Sequence, residues 1–200
     1  QETYAKDIDR RTVTFALAYP APRSAYVLGR FLGVIGLIVV TVVFWGALLQ
    51  VVSLLSTSRL ESATPLNFGS GYWAVLFGVA LDLIVIGAFF VLISSLAETP
   101  MLPFLLGFGF ALAARGLGVM IDYLALSKQS DPVLKEHLLP ILEALRWVVP
   151  DLSRLDWRQI VLYDDWPPVD QMVQGLAVAL GYTAMMLGGA TIAYRRRSFC

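Results

Sequence analysis

The chain has 200 residues, of which 58% are hydrophobic and 15% charged, with a mean hydropathy of +0.70. A soluble domain of this length needs far less apolar content for its core, so the sequence describes an integral membrane protein: an all-α, polytopic helix bundle. Basic and acidic residues balance at 15 each, and no basic stretch is interleaved with aromatics, which argues against nucleic acid as a partner.

The lone cysteine, Cys200, excludes an internal disulfide and a cysteine-based metal cluster. The first residue is Gln1, with no short charged-then-apolar leader after it, and the chain reads as the later part of a longer one.

Residues 1–24 form a charged, proline-punctuated elbow. Residues 3–19 read as a short amphipathic helix with Ile8, Val13, Phe15 and Leu17 on its apolar face; Pro20 and Pro22 break it, and Ser24 is placed to cap a helix that enters the membrane. By itself the elbow is either a juxtamembrane anchor with snorkelling arginines or a docking element for a groove on a soluble partner.

A bilayer core of about 30 Å needs roughly 20 apolar residues of helix. Stretches 31–55, 72–96 and 101–126 meet this within a three-helix region at 25–126, and a fourth span at 172–194 lies in a terminal region at 171–200 with a basic tail. Lys6, Arg10, Arg11, Arg23 and Arg30 precede the first span and Arg195, Arg196 and Arg197 end the last, whereas loop 58–71 holds only Arg59. By the positive-inside rule both ends are cytoplasmic and that loop is external, so the short link at 97–100 is a cytoplasmic turn.

Region 127–170 is then external. In DPVLKEHLLPILEALRWVVP the apolar residues recur at helical spacing from Leu134 to Val149, with Pro140 expected to kink the helix. A second short helix is expected at DWRQIVLY with Asp156 as its N-cap. Both read as helices at or in the outer membrane surface, packed on the bundle.

Gly29, Gly33 and Gly36 are candidate helix-packing positions, either within the chain or at a dimer seam. His137, the only histidine, has no ligand partners in sequence and reads as a surface residue; no metal, cofactor or catalytic constellation is present. Two charges stand out inside spans, Asp82 and Arg115. Each lies 14 residues, about 21 Å, from the link at 97–100, so they are expected to pair on a face turned from lipid.

The run Asp7, Ile8, Asp9, Arg10, Arg11 and Thr12, leading through Phe15 and Leu17 to Pro20-Ala21-Pro22-Arg23 and then Leu28-Gly29-Arg30-Phe31-Leu32-Gly33, resembles the cytoplasmic signature of type 2 ATP-binding-cassette (ABC) transporter permeases. Arg11, Tyr19 and Pro22 stand where that family often has Gly, Arg and Ser. The stretch PDLSRLDWRQIVLY is similar to the pattern before the last span in the branch that includes the nitrous-oxide reductase maturation permease, and Tyr-Arg-Arg-Arg-Ser-Phe resembles the family's usual ending.

The resemblance implies a six-span permease in the bacterial inner membrane, working as a homodimer on a separate ABC ATPase subunit, most simply as an exporter. An extracytoplasmic partner protein is compatible with it. Residues Asp7 to Thr12, with Phe15 and Leu17, would be the coupling helix. The chain has no GxxxxGK[ST] loop, so ATP and Mg would be held by the partner and not by this chain. An ATP-independent scaffold or channel is the alternative function class.

Overall fold

The computed structural model describes residues 23–57, 69–97, 99, 101–126, 141, 149–163 and 165–196. These form helices α1 (Arg23–Thr57), α2 (Ser70–Leu96), α3 (Met101–Leu126), a 3-10 turn (Leu152–Leu155), α4 (Arg158–Tyr163) and α5 (Val169–Arg196). Four of the helices are long and apolar enough to cross a membrane: Ala25–Leu55, Ser70–Leu96, Met101–Gly118 and Val169–Arg195. The described part of the chain contains no strand, and this is the fold class expected from the sequence.

Helix α2 is the hub, packing against α1, α3, α5, the 3-10 turn and α4. Its buried residues, Gly78, Leu81, Asp82, Val85, Ala88, Val91 and Ser95, recur every three or four positions and form one stripe. The remaining faces are also apolar, as a helix bathed in hydrocarbon requires, so small residues and one acid mark the inner stripe better than hydrophobicity does. The facing stripe on α5 is Gly175, Ala179, Met186, Ala190 and Tyr194.

Two aromatic stacks tie neighbours together. Phe89 of α2 lies against Phe110 of α3 with ring centroids 4.0 Å apart, and Tyr26 of α1 stacks on Tyr194 of α5 at 5.6 Å. The Tyr72 hydroxyl donates to the Gly46 carbonyl across α1 and α2 at 2.5 Å. The Thr41 and Thr183 hydroxyls return to their own helices, to Leu37 O and Ala179 O, so neither exposes an unpaired polar group to lipid.

Helix α1 begins eight residues before the predicted span, and Ser24 sits inside its first turn instead of capping it. Hydropathy finds only the apolar part of such a helix, while the backbone continues through Arg30, whose guanidinium donates to the Tyr26 hydroxyl at 2.7 Å. Pro103 is tolerated because it falls in the first turn of α3, where its missing N–H has no intrahelical acceptor anyway. Asp170 stands in the first turn of α5, favourably placed against the helix dipole.

The segment 149–163 caps one end of the bundle. Leu152, Leu155, Trp157 and Ile160 are buried, and Phe77 lies against Trp157 at 6.5 Å. Asp156 is not the N-cap of α4: its N–H closes the 3-10 turn onto Ser153 O, and α4 starts only at Arg158, whose backbone N–H reaches Asp156 Oδ1 at 3.3 Å. The amphipathic stretch 134–149 with Pro140 and His137, and the elbow at 3–19, lie outside the described residues save for isolated positions.

Glycine seats the cap. A Cβ on Gly78 would stand 2.6 Å from the Leu155 carbonyl oxygen, and one on Gly118 would collide with Ser153 Oγ and Asp151 Oδ1. Because a backbone carbonyl cannot step aside as a flexible side chain does, Gly78→Ala is expected to destabilise the solubilised protein by about 1 to 3 kcal/mol through overpacking. Gly181→Ala, with nothing within 4 Å of the new carbon, should leave the melting temperature unchanged or raise it. Equal melting temperatures for Gly78→Ala and the wild type would contradict this seating.

Candidate functional site

The structure brings Asp82 and Arg115 together. The Arg115 Nε donates to Asp82 Oδ2 at 2.7 Å, and Nη2 donates to the same oxygen. Sequence reasoning puts both on a face turned from lipid; the structure buries only the acid. The Asp82 side chain is 3% exposed inside the bundle, whereas Arg115 reaches it from the flank of α3 with 60% of its side chain exposed. Asp82 Oδ1 has no hydrogen-bond partner among the described residues.

A second pair, missed by the sequence reading, stands over the first. Arg158 donates through Nε to Asp156 Oδ1 and Oδ2 at 2.6 and 2.9 Å, and also through Nη2. The Arg158 hydrogen bonds hold the Asp156 carboxyl below the usual carboxylate range; burial opposes them, and Arg115 assists. A cavity of about 200 Å³ joins the pairs, lined by Asp82, Arg115, Asp156 and Arg158 with Ser153 and Trp157. The signal available in sequence was the density of charge in DLSRLDWR, in a chain that is otherwise sparing with it.

Beside this cluster the cap is pinned to α5. Arg154 Nη1 donates to Gln174 Oε1 at 3.2 Å, its Nε donates to Asp151 Oδ2 at 3.4 Å, and Trp157 Nε1 donates to the Arg154 carbonyl at 3.1 Å. Acids and bases alternate from α2 through α3 into the cap, so the charges offset one another within the protein. An isolated charge at the centre of a span costs about 2.5 to 3.5 kcal/mol on insertion scales.

Arg115 also borders a second space. On its exposed side it lies on an open, nearly flat face of α3 with Ala111, Leu112, Gly116, Met120 and Tyr123. One guanidinium therefore lies between the charged cavity and an open, largely apolar face.

The other predicted positions distribute differently. A Cβ on Gly29, Gly33 or Gly36 would meet nothing within 4 Å, so these glycines seat no neighbouring helix among the described residues. Gly29 and Gly33 instead line a cleft of about 700 Å³ between α1 and α2, with Tyr26 and Arg30 at its rim. The candidate coupling residues Asp7, Ile8, Asp9, Arg10, Arg11, Thr12, Phe15 and Leu17 lie outside the described residues. Among the described residues no group of three or more His, Cys, Asp or Glu is placed to hold a metal ion.

A family profile described as "ABC-2 family transporter protein" matches residues 3–199. The chain belongs to the ABC-2 transporter family. Neither a curated protein nor a solved structure gave a match. Membership makes this a multi-pass membrane protein of the ABC permease type and implies partnership with an ABC ATPase subunit.

The buried and exposed halves of the central pair are expected to respond unequally. Arg115→Gln strands a buried carboxylate and should cost about 3 to 5 kcal/mol of stability. Asp82→Asn should cost less, because the guanidinium it releases is already 60% exposed. The double variant Asp82→Asn with Arg115→Gln should fall close to Asp82→Asn alone. Unfolding of the purified single and double variants measures this, and strictly additive losses would contradict the pairing.

The outer pair adds a pH dependence. With its folded pKa depressed, Asp156 contributes stability that is fully present above the ordinary carboxylate pKa, about 3.9, and is lost as pH falls through the lower folded value. Asp156→Asn should therefore lower the melting temperature at neutral pH, with the difference from wild type closing in strongly acidic solution. A difference that persists unchanged to the lowest pH would contradict it.

Proposed function

We propose that this chain is the membrane permease subunit of an ATP-driven transporter, exporting its substrate as a homodimer in the bacterial inner membrane. The family match over residues 3–199 carries the reading. The chain has no phosphate-binding GxxxxGK[ST] loop, so in this reading hydrolysis, with its ATP and Mg, belongs to a separate ATPase subunit.

The coupling helix is residues Asp7 to Thr12 with Phe15 and Leu17, whose apolar side chains dock in a groove on the ATPase. Closure of the ATPase pushes this helix, and α1 carries the displacement into the bundle. Both visible ends lie in the cytoplasm, as the arginines at either end favour, and the cap at 149–163 faces outward, where an extracytoplasmic partner protein would meet it. Kinship with the branch of the nitrous-oxide reductase maturation permease rests on the 150–163 pattern and belongs to the same proposal.

The geometry adds a direction for the α3 face. A guanidinium 60% exposed near the middle of a span is poorly matched to hydrocarbon, whereas a polar pathway or a seam with the second copy accommodates it.

Co-expression with a candidate Walker-motif ATPase is the test. Pull-down of the permease should bring the ATPase with it, and Phe15→Asp with Leu17→Asp should abolish that capture without reducing membrane insertion, because a charge cannot enter an apolar groove unpaired. Undiminished capture and substrate-stimulated hydrolysis in the double variant would refute the coupling role. Failure of the wild-type chain to bind any ATPase would favour the scaffold or channel reading.

A further inference from the structure

The ion pair at mid-span is only half satisfied. Asp82 Oδ2 takes both donors from Arg115, while Oδ1 has no hydrogen-bond partner among the described residues, in a side chain 3% exposed. A buried carboxylate is well compensated only when its remaining lone pairs are met as well, and here one oxygen is left without a donor.

From the cap side Asp82 is not sealed off. It lines the cavity of about 200 Å³ with Ser153, Asp156 and Arg158, and side-chain exposure rises from 3% at Asp82 to 40% at Asp156 and 73% at Arg158. At about 30 Å³ of liquid volume per molecule the cavity has room for several waters, and its charged side chains with Ser153 supply the hydrogen bonds such waters need. A hydrated path therefore leads from the exposed outer pair to a carboxyl near the middle of α2.

Charge selects what this cavity binds. Two carboxylates and two guanidiniums line it, for no net charge, and neither α1 nor α5 adds an acid or base to the lining among the described residues. Asp151 and Arg154 of the cap are paired with each other beside it. A metal cation would have to approach two guanidiniums, and no group of three or more His, Cys, Asp or Glu is placed to hold one among the described residues. An anion would meet two carboxylates, and both guanidiniums are already hydrogen-bonded to them. A proton travels along water and removes the one charge that is poorly compensated. With Asp82 neutral, Asp156 is the acid left on the cavity for Arg115, which already favours the ionised form of Asp156.

We propose that Asp82 is a proton-binding site reached through the cavity under the cap, and that its protonation passes Arg115 from Asp82 towards Asp156. A hydronium ion in the cavity gives its proton to the Asp82 carboxylate: an O–H bond forms on the aspartate as one breaks on the hydronium, and water is left behind. The cluster goes from no net charge to a single positive charge, and α3 exchanges a tie to α2 for a tie to the cap. The site does not depend on the permease reading; only the side of the membrane that supplies the proton does.

The test uses the full chain in phosphatidylcholine nanodiscs, without ATPase or nucleotide, so its outcome is independent of the coupling experiment. Infrared difference spectra, recorded as the medium is brought from mildly alkaline to mildly acidic, should show the carbonyl band of a newly protonated carboxylic acid. The band should shift with isotope-labelled aspartate and not with labelled glutamate, and should follow the glutamate label in Asp82→Glu. In Asp156→Asn it should appear only in more acidic medium, because the neighbouring negative charge is gone. Spin labels on Leu112→Cys of α3 and Leu162→Cys of α4, both exposed positions, in a Cys200→Ser background, read the movement. Their separation should change with pH in the otherwise native chain, and Asp82→Asn should hold the acidic-medium separation throughout.

No aspartate band from a protein that keeps its helical circular dichroism, a band that stays with labelled aspartate in Asp82→Glu, or one unmoved in Asp156→Asn would each overturn the proton site. A separation that does not change with pH would overturn the transfer of Arg115.

Discussion

The Asp82 carboxylate cannot be left alone at the depth it occupies. Desolvated in the bundle, with its side chain 3% exposed, it requires a cation within hydrogen-bonding reach, and Arg115 on the next helix supplies it. That requirement explains much of the arrangement around it. The short link at 97–100 sets α2 and α3 antiparallel with both residues at one height; the Phe89 and Phe110 stack holds the helices face to face below the pair. The cap closes over it, its own Asp156 and Arg158 completing an alternation of charge.

Such an alternation has a consequence beyond stability. Arg115 pairs with Asp82 and also favours the ionised form of Asp156, so any motion of the cap relative to α3 changes the field that Arg115 feels. The seats on Gly78 and Gly118 make that contact close and nearly rigid, which suits transmission between the outer cap and the middle of the bundle. In a transporter, displacements must pass along such paths, since lipid on the outer face of α1 offers little resistance and carries no signal.

Part of this was legible in the sequence and part was not, for physical reasons. Four spans announce themselves by length and apolarity, because hydrocarbon leaves the backbone no alternative to helix. Asp82 and Arg115 stand out because charge is costly there, and the common distance from a short turn gives their height. What a uniformly apolar helix conceals is rotation: no periodic pattern says which way a side chain points, and so the exposure of Arg115 on the flank of α3 could not be foreseen. The N-cap assigned to Asp156 failed because a 3-10 turn, whose contacts are tertiary, claimed that residue first. The glycines of α1 read as packing positions by spacing, within the chain or at a dimer seam; spacing does not name the partner, and within one copy a Cβ on Gly29, Gly33 or Gly36 meets nothing within 4 Å among the described residues.

In the proposed permease the face of α3 carrying Arg115 is turned to a polar pathway or a seam with the second copy and not to bulk lipid. Substituted-cysteine labelling in a Cys200→Ser background tests it most directly. A membrane-impermeant thiol reagent would be applied to Leu112→Cys and Gly116→Cys, which flank Arg115, and to Leu48→Cys on the exposed surface of α1 as a lipid-facing reference. The account predicts clear reaction at the two α3 positions, altered when the ATPase partner binds nucleotide, and none at Leu48→Cys. Reaction at the α3 positions no greater than at the reference, with and without nucleotide, would contradict it.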